Sequence, residues 1–152
     1  MDTYKFGEAA KAAGLTEGQL RNWLARYDDL WLPTGREAGK WREFSFRDIV
    51  VLGFAVELIR WGAKVPQATE AGLVFLGCYN VSVWDDDAAD KFEGPRFVVV
   101  LQEDRGAWNV YDEEKDQRVI AAIKGQQGQL SELRIDGRAI IAGCYSRLQV
   151  KA

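Results

Sequence analysis

An α+β fold, helical in its N-terminal half and β-rich but mixed in its C-terminal half, is predicted by three features of this 152-residue chain. Residues 1–68 carry apolar side chains at helical spacing, broken by short turns. Residues 69–152 hold β-branched and aromatic runs separated by Gly, Asp and Asn. The charge changes at the same place: 10 Lys plus Arg face 9 Asp plus Glu before residue 69, and 10 face 14 after it, giving +1 and −4. Two domains are expected, residues 1–72 and 73–152, joined near residues 65–72.

Phe6, Ala9, Ala10 and Ala13 predict a first helix, with Gly14 placed where a left-handed terminus favours a residue without a Cβ. Thr16 followed by Gln19 is a capping box, so a second helix starts near Glu17. Its Leu20, Trp23 and Leu24 face the first helix. Two helices joined by so short a turn form a helix-turn-helix. Residues 32–44 follow, with Pro33 and Gly35 at turn positions and an alternating Trp41-Arg42-Glu43-Phe44 end, the pattern of a two-stranded wing. Ser45 with Asp48 caps a third helix running to about Trp61, ended by Gly62, with Pro66 beyond.

In this order and spacing the residues resemble the winged helix-turn-helix domains of MerR-type transcriptional regulators over residues 4–75. Tyr4-Lys5-Phe6-Gly7-Glu8-Ala9-Ala10 is similar to the family's first helix, Gly14-Leu15-Thr16 to its turn, and Leu20-Arg21-Asn22-Trp23 to its recognition helix. Pro33 with Arg36 resembles the entry to the wing, and Trp41-Arg42-Glu43-Phe44-Ser45 with Asp48 its aromatic-Arg-x-aromatic signature and cap. The resemblance implies double-stranded DNA as partner. Where the family has Tyr-Glu this chain has Trp23-Leu24, and residues 73–81 give no heptad pattern, so the family's long dimerisation helix is not expected.

Composition narrows the chemistry. The chain has no His, which removes Ser-His-Asp and Cys-His catalysis and histidine metal ligation. Two cysteines, Cys78 and Cys144, are too few for a four-ligand zinc site or a disulfide scaffold. The longest apolar run, residues 49–56, is far shorter than the ~18 residues of a membrane span. No basic, apolar leader opens the sequence, so a cytoplasmic protein without cofactor or metal is expected, and no enzyme activity.

The expected DNA-binding residues are Thr16, Glu17, Gln19 and Asn22 at the start of the second helix, entering the major groove, where Gln and Asn pair with adenine edges. Arg21, Arg26, Arg36, Lys40 and Arg42 are expected to hold phosphates, with Trp41 assisting from the wing. A domain of net charge +1 makes few phosphate contacts, which implies a homo-oligomer. The same fold also suits an architectural or packaging protein of the excisionase or small terminase kind, or a protein-interaction module without DNA binding.

In the second half, Phe97 to Leu101 and Trp108 to Tyr111 predict a β-hairpin. Residues 119–123 and 139–145 suit strand or helix, with Ile135-Asp136-Gly137-Arg138 as a turn between them. Asp85-Asp86-Asp87 with Asp90 is the one acidic cluster in the sequence that could hold a metal or act as paired carboxylates, and a solvated turn capping a short helix at residues 88–92 is favoured over that role, since adjacent side chains point in different directions. Gly77-Cys78-Tyr79 recurs as Gly143-Cys144-Tyr145, for which packing is favoured over a redox pair on adjacent strands. Trp23 and Trp61 are expected in the core, Trp31 and Trp41 beside the wing, and Trp84 and Trp108 in the second domain, as part of a pocket, a partner surface or the core. That domain is read as an oligomerisation or effector- or partner-binding unit.

Overall fold

The computed structural model describes residues 3–27, 30, 32, 43–80, 93–102, 107–126 and 131–149. Residues 33–42, where the wing is expected, the acidic cluster at 85–90 and the tryptophans at 31, 41 and 84 lie outside the described residues. Among the described residues, no helix is long and apolar enough to cross a membrane.

The elements run β1 (Thr3–Tyr4), α1 (Phe6–Ala13), α2 (Glu17–Arg26), β2 (Phe44–Ser45), α3 (Phe46–Arg60), α4 (Val65–Gly77), β3 (Phe97–Gln102), β4 (Trp108–Asp112), α5 (Gln117–Gln126), β5 (Ser131–Asp136) and α6 (Gly137–Gln149). The fold is therefore α+β, helical first and mixed afterwards. Helix α3 is its centre. Ile49, Val50, Val51, Leu52, Gly53, Phe54 and Ala55 are all buried in succession, leaving no polar stripe along those two turns, and that stretch must be covered on every side. Helices α1, α4 and α6 supply the cover. Two glycines set the spacing: a Cβ on Gly72 of α4 would stand 2.8 Å from the Val51 carbonyl oxygen, and one on Gly53 would stand 2.7 Å from Cys144 Sγ of α6.

Helix ends follow their local signals. Gly14 has φ 86° and Gly62 φ 101°. Around Gly14, Gly14 N–H donates to the Lys11 carbonyl (3.1 Å) and Leu15 N–H to Ala10 (2.9 Å), a Schellman motif. Around Gly62, Gly62 N–H donates to Ile59 (3.0 Å) and Ala63 N–H to Leu58 (3.1 Å), the same device. Pro66 does not terminate anything; it sits in the first turn of α4, where its missing N–H leaves no helical bond unmade.

The second sheet is antiparallel with order β4-β3-β5, and the β3–β4 hairpin is in the expected place. Val98 and Val100 of the central strand face the same core as Phe75, Ile141 and Cys144, so the buried residues of both halves form one cluster. Helix α4 runs without interruption through residue 72. Phe54 of α3 stacks on Phe75 of α4, with centroids 4.1 Å apart.

Residues 119–123 and 139–145, which suited strand or helix, are both helical, inside α5 and α6, and two local expectations are corrected. In α6, Ile141, Cys144 and Leu148 recur at spacings of three and four, and that stripe packs on α1 and α3. Asp136-Gly137 is not a turn between strands: β5 passes directly into α6, with Asp136 Oδ1 accepting the Ala139 N–H at 3.0 Å as a helix cap. Trp61 is not in the core but 59% exposed, because it follows the last residue of α3 and its backbone has left helical geometry (ψ 6°).

The two cysteines are not on paired strands. Cys78 follows the end of α4, and Cys144 is buried in α6. Burial pushes both thiols up to about 11, with Asp112 adding to the effect at Cys78. A thiol that stays protonated in the folded state after its unfolded counterpart has ionised favours folding below pH ~9, and that contribution disappears as pH rises towards 11. Wild type is thus expected to lose more stability between pH 8 and 10.5 than the Cys144→Ala variant, as read by urea midpoints; equal losses would contradict the buried thiol. Gly53→Ala is expected to destabilise by ~1–3 kcal/mol through its clash with Sγ. In a Cys144→Ala background the same change should become neutral or mildly favourable, since alanine is the better helix former.

Candidate nucleic-acid interface

Helices α1 and α2 pack against each other through Leu20, Trp23 and Leu24, which are buried as expected. The start of α2 is held by reciprocal bonds: Gln19 N–H donates to Thr16 Oγ1 (3.1 Å), and Thr16 N–H donates to Gln19 Oε1 (3.0 Å). Thr16, Glu17, Gln19, Arg21, Asn22 and Arg26 are all exposed. They do not form one face. At 3.6 residues per turn, the direction opposite the buried stripe is occupied by Gly18, Asn22 and Ala25, with Arg21 on one flank and Arg26 on the other.

This arrangement gives the residues different roles. The Gln19 carbonyl oxygen is engaged in the cap, so its amide is not free to pair bidentately with a base. The Glu17 carboxylate lies directly over Gly7 in the first turn of α1, a position that only a residue without a Cβ leaves open, and there it meets the positive end of that helix. The Arg21 guanidinium is 5.7 Å from the Phe6 ring centroid, and that of Arg26 is 5.7 Å from the ring of Tyr27. Asn22 projects from the helix between two small residues, so the backbone there can come close to a surface.

Residues missed in the sequence are Gly18 and Ala25, whose smallness matters only once the buried face of α2 is known, and Lys5. The antiparallel pairs Thr3↔Ser45 and Tyr4↔Phe44 tie β1 to β2, which brings exposed Lys5 alongside Glu43, at the end of the wing segment. Nothing local signals a two-residue strand. Arg36, Lys40, Trp41 and Arg42 lie outside the described residues. Among the described residues, no group of acidic and thiol side chains is placed to hold a metal ion.

Residues 4–71 match the sequence profile described as MerR HTH family regulatory protein. The N-terminal half is a MerR-type helix-turn-helix domain. A match to this regulatory family supports a DNA-binding regulator in general terms. No curated protein matches the chain. The MerR-type match ends at residue 71, inside α4, and leaves the sheet and α6 outside it.

The capping geometry separates stability from recognition. Thr16→Ala and Gln19→Ala are each expected to lower unfolding free energy by ~0.5–2 kcal/mol through loss of the cap. Asn22→Ala, at an exposed position, should stay within about 0.5 kcal/mol of wild type in the same urea titration.

Proposed function

We propose that the chain is a sequence-specific double-stranded DNA-binding protein that regulates transcription. The observation that carries this reading is the outward face of α2: Asn22 between Gly18 and Ala25, flanked by Arg21 and Arg26. Small neighbours let the helix sit deep in a major groove. Asn22 then presents a donor and an acceptor to an adenine edge, while the two arginines reach phosphates on opposite groove walls. Thr16 and Gln19 fix the helix start, and their remaining polar atoms and Glu17 border the same groove. Lys5 and the wing residues Arg36, Lys40, Trp41 and Arg42 add backbone contacts on one side.

The cations available are few, and residues 1–68 sum to only +1. Two copies acting together supply the affinity that one lacks, so the regulator works as a homo-oligomer, with the C-terminal half as assembly or effector unit. No catalytic group is required by this reading, and a cytoplasmic location suits it.

The test is duplex selection from a randomised pool, followed by salt titration. Asn22→Ala is expected to relax preference at one base pair by ~1–3 kcal/mol with little change in non-specific affinity. Lys40→Ala and Arg42→Ala should weaken binding to all duplexes alike and flatten the salt dependence by roughly one unit each. Identical selected motifs for wild type and Asn22→Ala would remove α2 as the reading element. No duplex binding at low salt would overturn the proposal.

A further inference from the structure

An open cleft of about 420 Å³ lies where the ends of α1 and α3 meet α6 and β5. Its floor is shallow in side chains because Ala13, Gly14, Gly53 and Gly143 line it, and Val56 and Ile140 make it apolar. Trp61, 59% exposed, stands on its rim. The charges on that rim are mostly matched. Arg60 pairs with Glu57 at 3.6 Å, Asp136 with Arg96 at 3.5 Å, and Arg134 with Glu113.

Arg147 is the exception. Its Nε donates to the Ala12 carbonyl at 2.8 Å, and Nη2 approaches Cys144 Sγ at 3.9 Å, but no carboxylate among the described residues pairs with it. Its Nη1 would lie 3.2 Å from a Cβ on Gly143, so the absence of a side chain there leaves the guanidinium bordering the cleft. One unmatched cation, an apolar floor and an exposed indole define a ligand chemistry. Glu57 and Asp136 on the same rim repel a polyanion.

We propose that this cleft binds a small aromatic carboxylate, with the carboxylate on Arg147 and the ring against Trp61. The volume suits one or two fused rings. Arg147 also holds the carbonyl of Ala12, two residues before Gly14 opens the helix-turn-helix turn. A carboxylate competing for that guanidinium loosens the end of α1, which links the cleft to α2. The link to DNA rests on the function proposed above; the binding site does not.

The test uses the full chain, labelled with ¹⁵N, titrated with indole-3-carboxylate, 2-naphthoate and neutral indole. Saturable shifts are expected at the amides of Gly14, Gly53 and Gly143 and at the Trp61 indole for the two carboxylates. Affinity should fall about tenfold in Arg147→Gln, the loss of one charge-assisted contact, and in Trp61→Ala, an exposed position whose change leaves the fold intact. No saturable shift with any probe, indole binding as tightly as its carboxylate, or unchanged affinity in Trp61→Ala would overturn the site. Duplex affinity that is unaltered by saturating probe would overturn the link to α2. Because the titration is read on the protein alone, a failure of duplex binding would sink the regulator reading and leave this result standing.

Discussion

The fold depends on a helix whose middle two turns have no face to give to water. In α3 the buried side chains run around the whole circumference from Ile49 to Ala55, so every side there must be covered by something else, and only beyond it do Val56, Glu57 and Arg60 border an open cleft. Helix α1 covers one side, α4 a second and α6 a third. Each buried Leu, Ile or Phe contributes ~1.5–3 kcal/mol only if its cover is in place. The helix-turn-helix and the C-terminal helix are therefore bound to one another through α3. Close approach is what glycine permits at Gly53 and Gly72, where a methyl group would collide with Cys144 or with the Val51 carbonyl.

That shared cover also completes the hydrogen bonding of α1. Its last carbonyls need partners once the helix stops. Ala10 and Lys11 find them in Leu15 and Gly14, close in sequence, whereas Ala12 takes the Arg147 guanidinium from 135 residues away. The turn that launches α2 is thus held from both sides. The sheet enters the same core through Val98, Val100 and Ile135, and β5 delivers the chain straight into α6.

With its inner face fixed on α1, α2 is left with an outer face of small residues, one amide and two flanking cations. Its exposed polar side chains thereby divide: Thr16 and Gln19 close the helix start, Glu17 lies over Gly7, and Asn22 stands clear. A residue type alone does not make that distinction. Gln and Asn offer the same donor and acceptor pair, and only the partner already holding Gln19 separates them.

The sequence by itself determined where the first helix ends, where the second begins, and both ends of the third. Gly14, Thr16 with Gln19, Ser45 with Asp48, and Gly62 act through bonds spanning five residues or fewer, so their meaning is contained in the local chain. The β3–β4 hairpin was legible from its two β-branched and aromatic runs, close together in the chain, as was the helix-turn-helix from its caps and apolar spacing. Tertiary structure decided the rest. Residues 139–145 become helix because Ile141 and Cys144 must meet α3, some 90 residues earlier, and a short apolar run fits a strand equally well until that partner is present. The pairing of Tyr4 with Phe44 joins two-residue strands too short to show a period. Trp61 has the composition of a core residue but sits one step past the end of α3, where helical phase no longer directs it inward. For residues 139–145 and for the Tyr4–Phe44 pair the deciding contact comes from far along the chain, and local pattern has no means of encoding it.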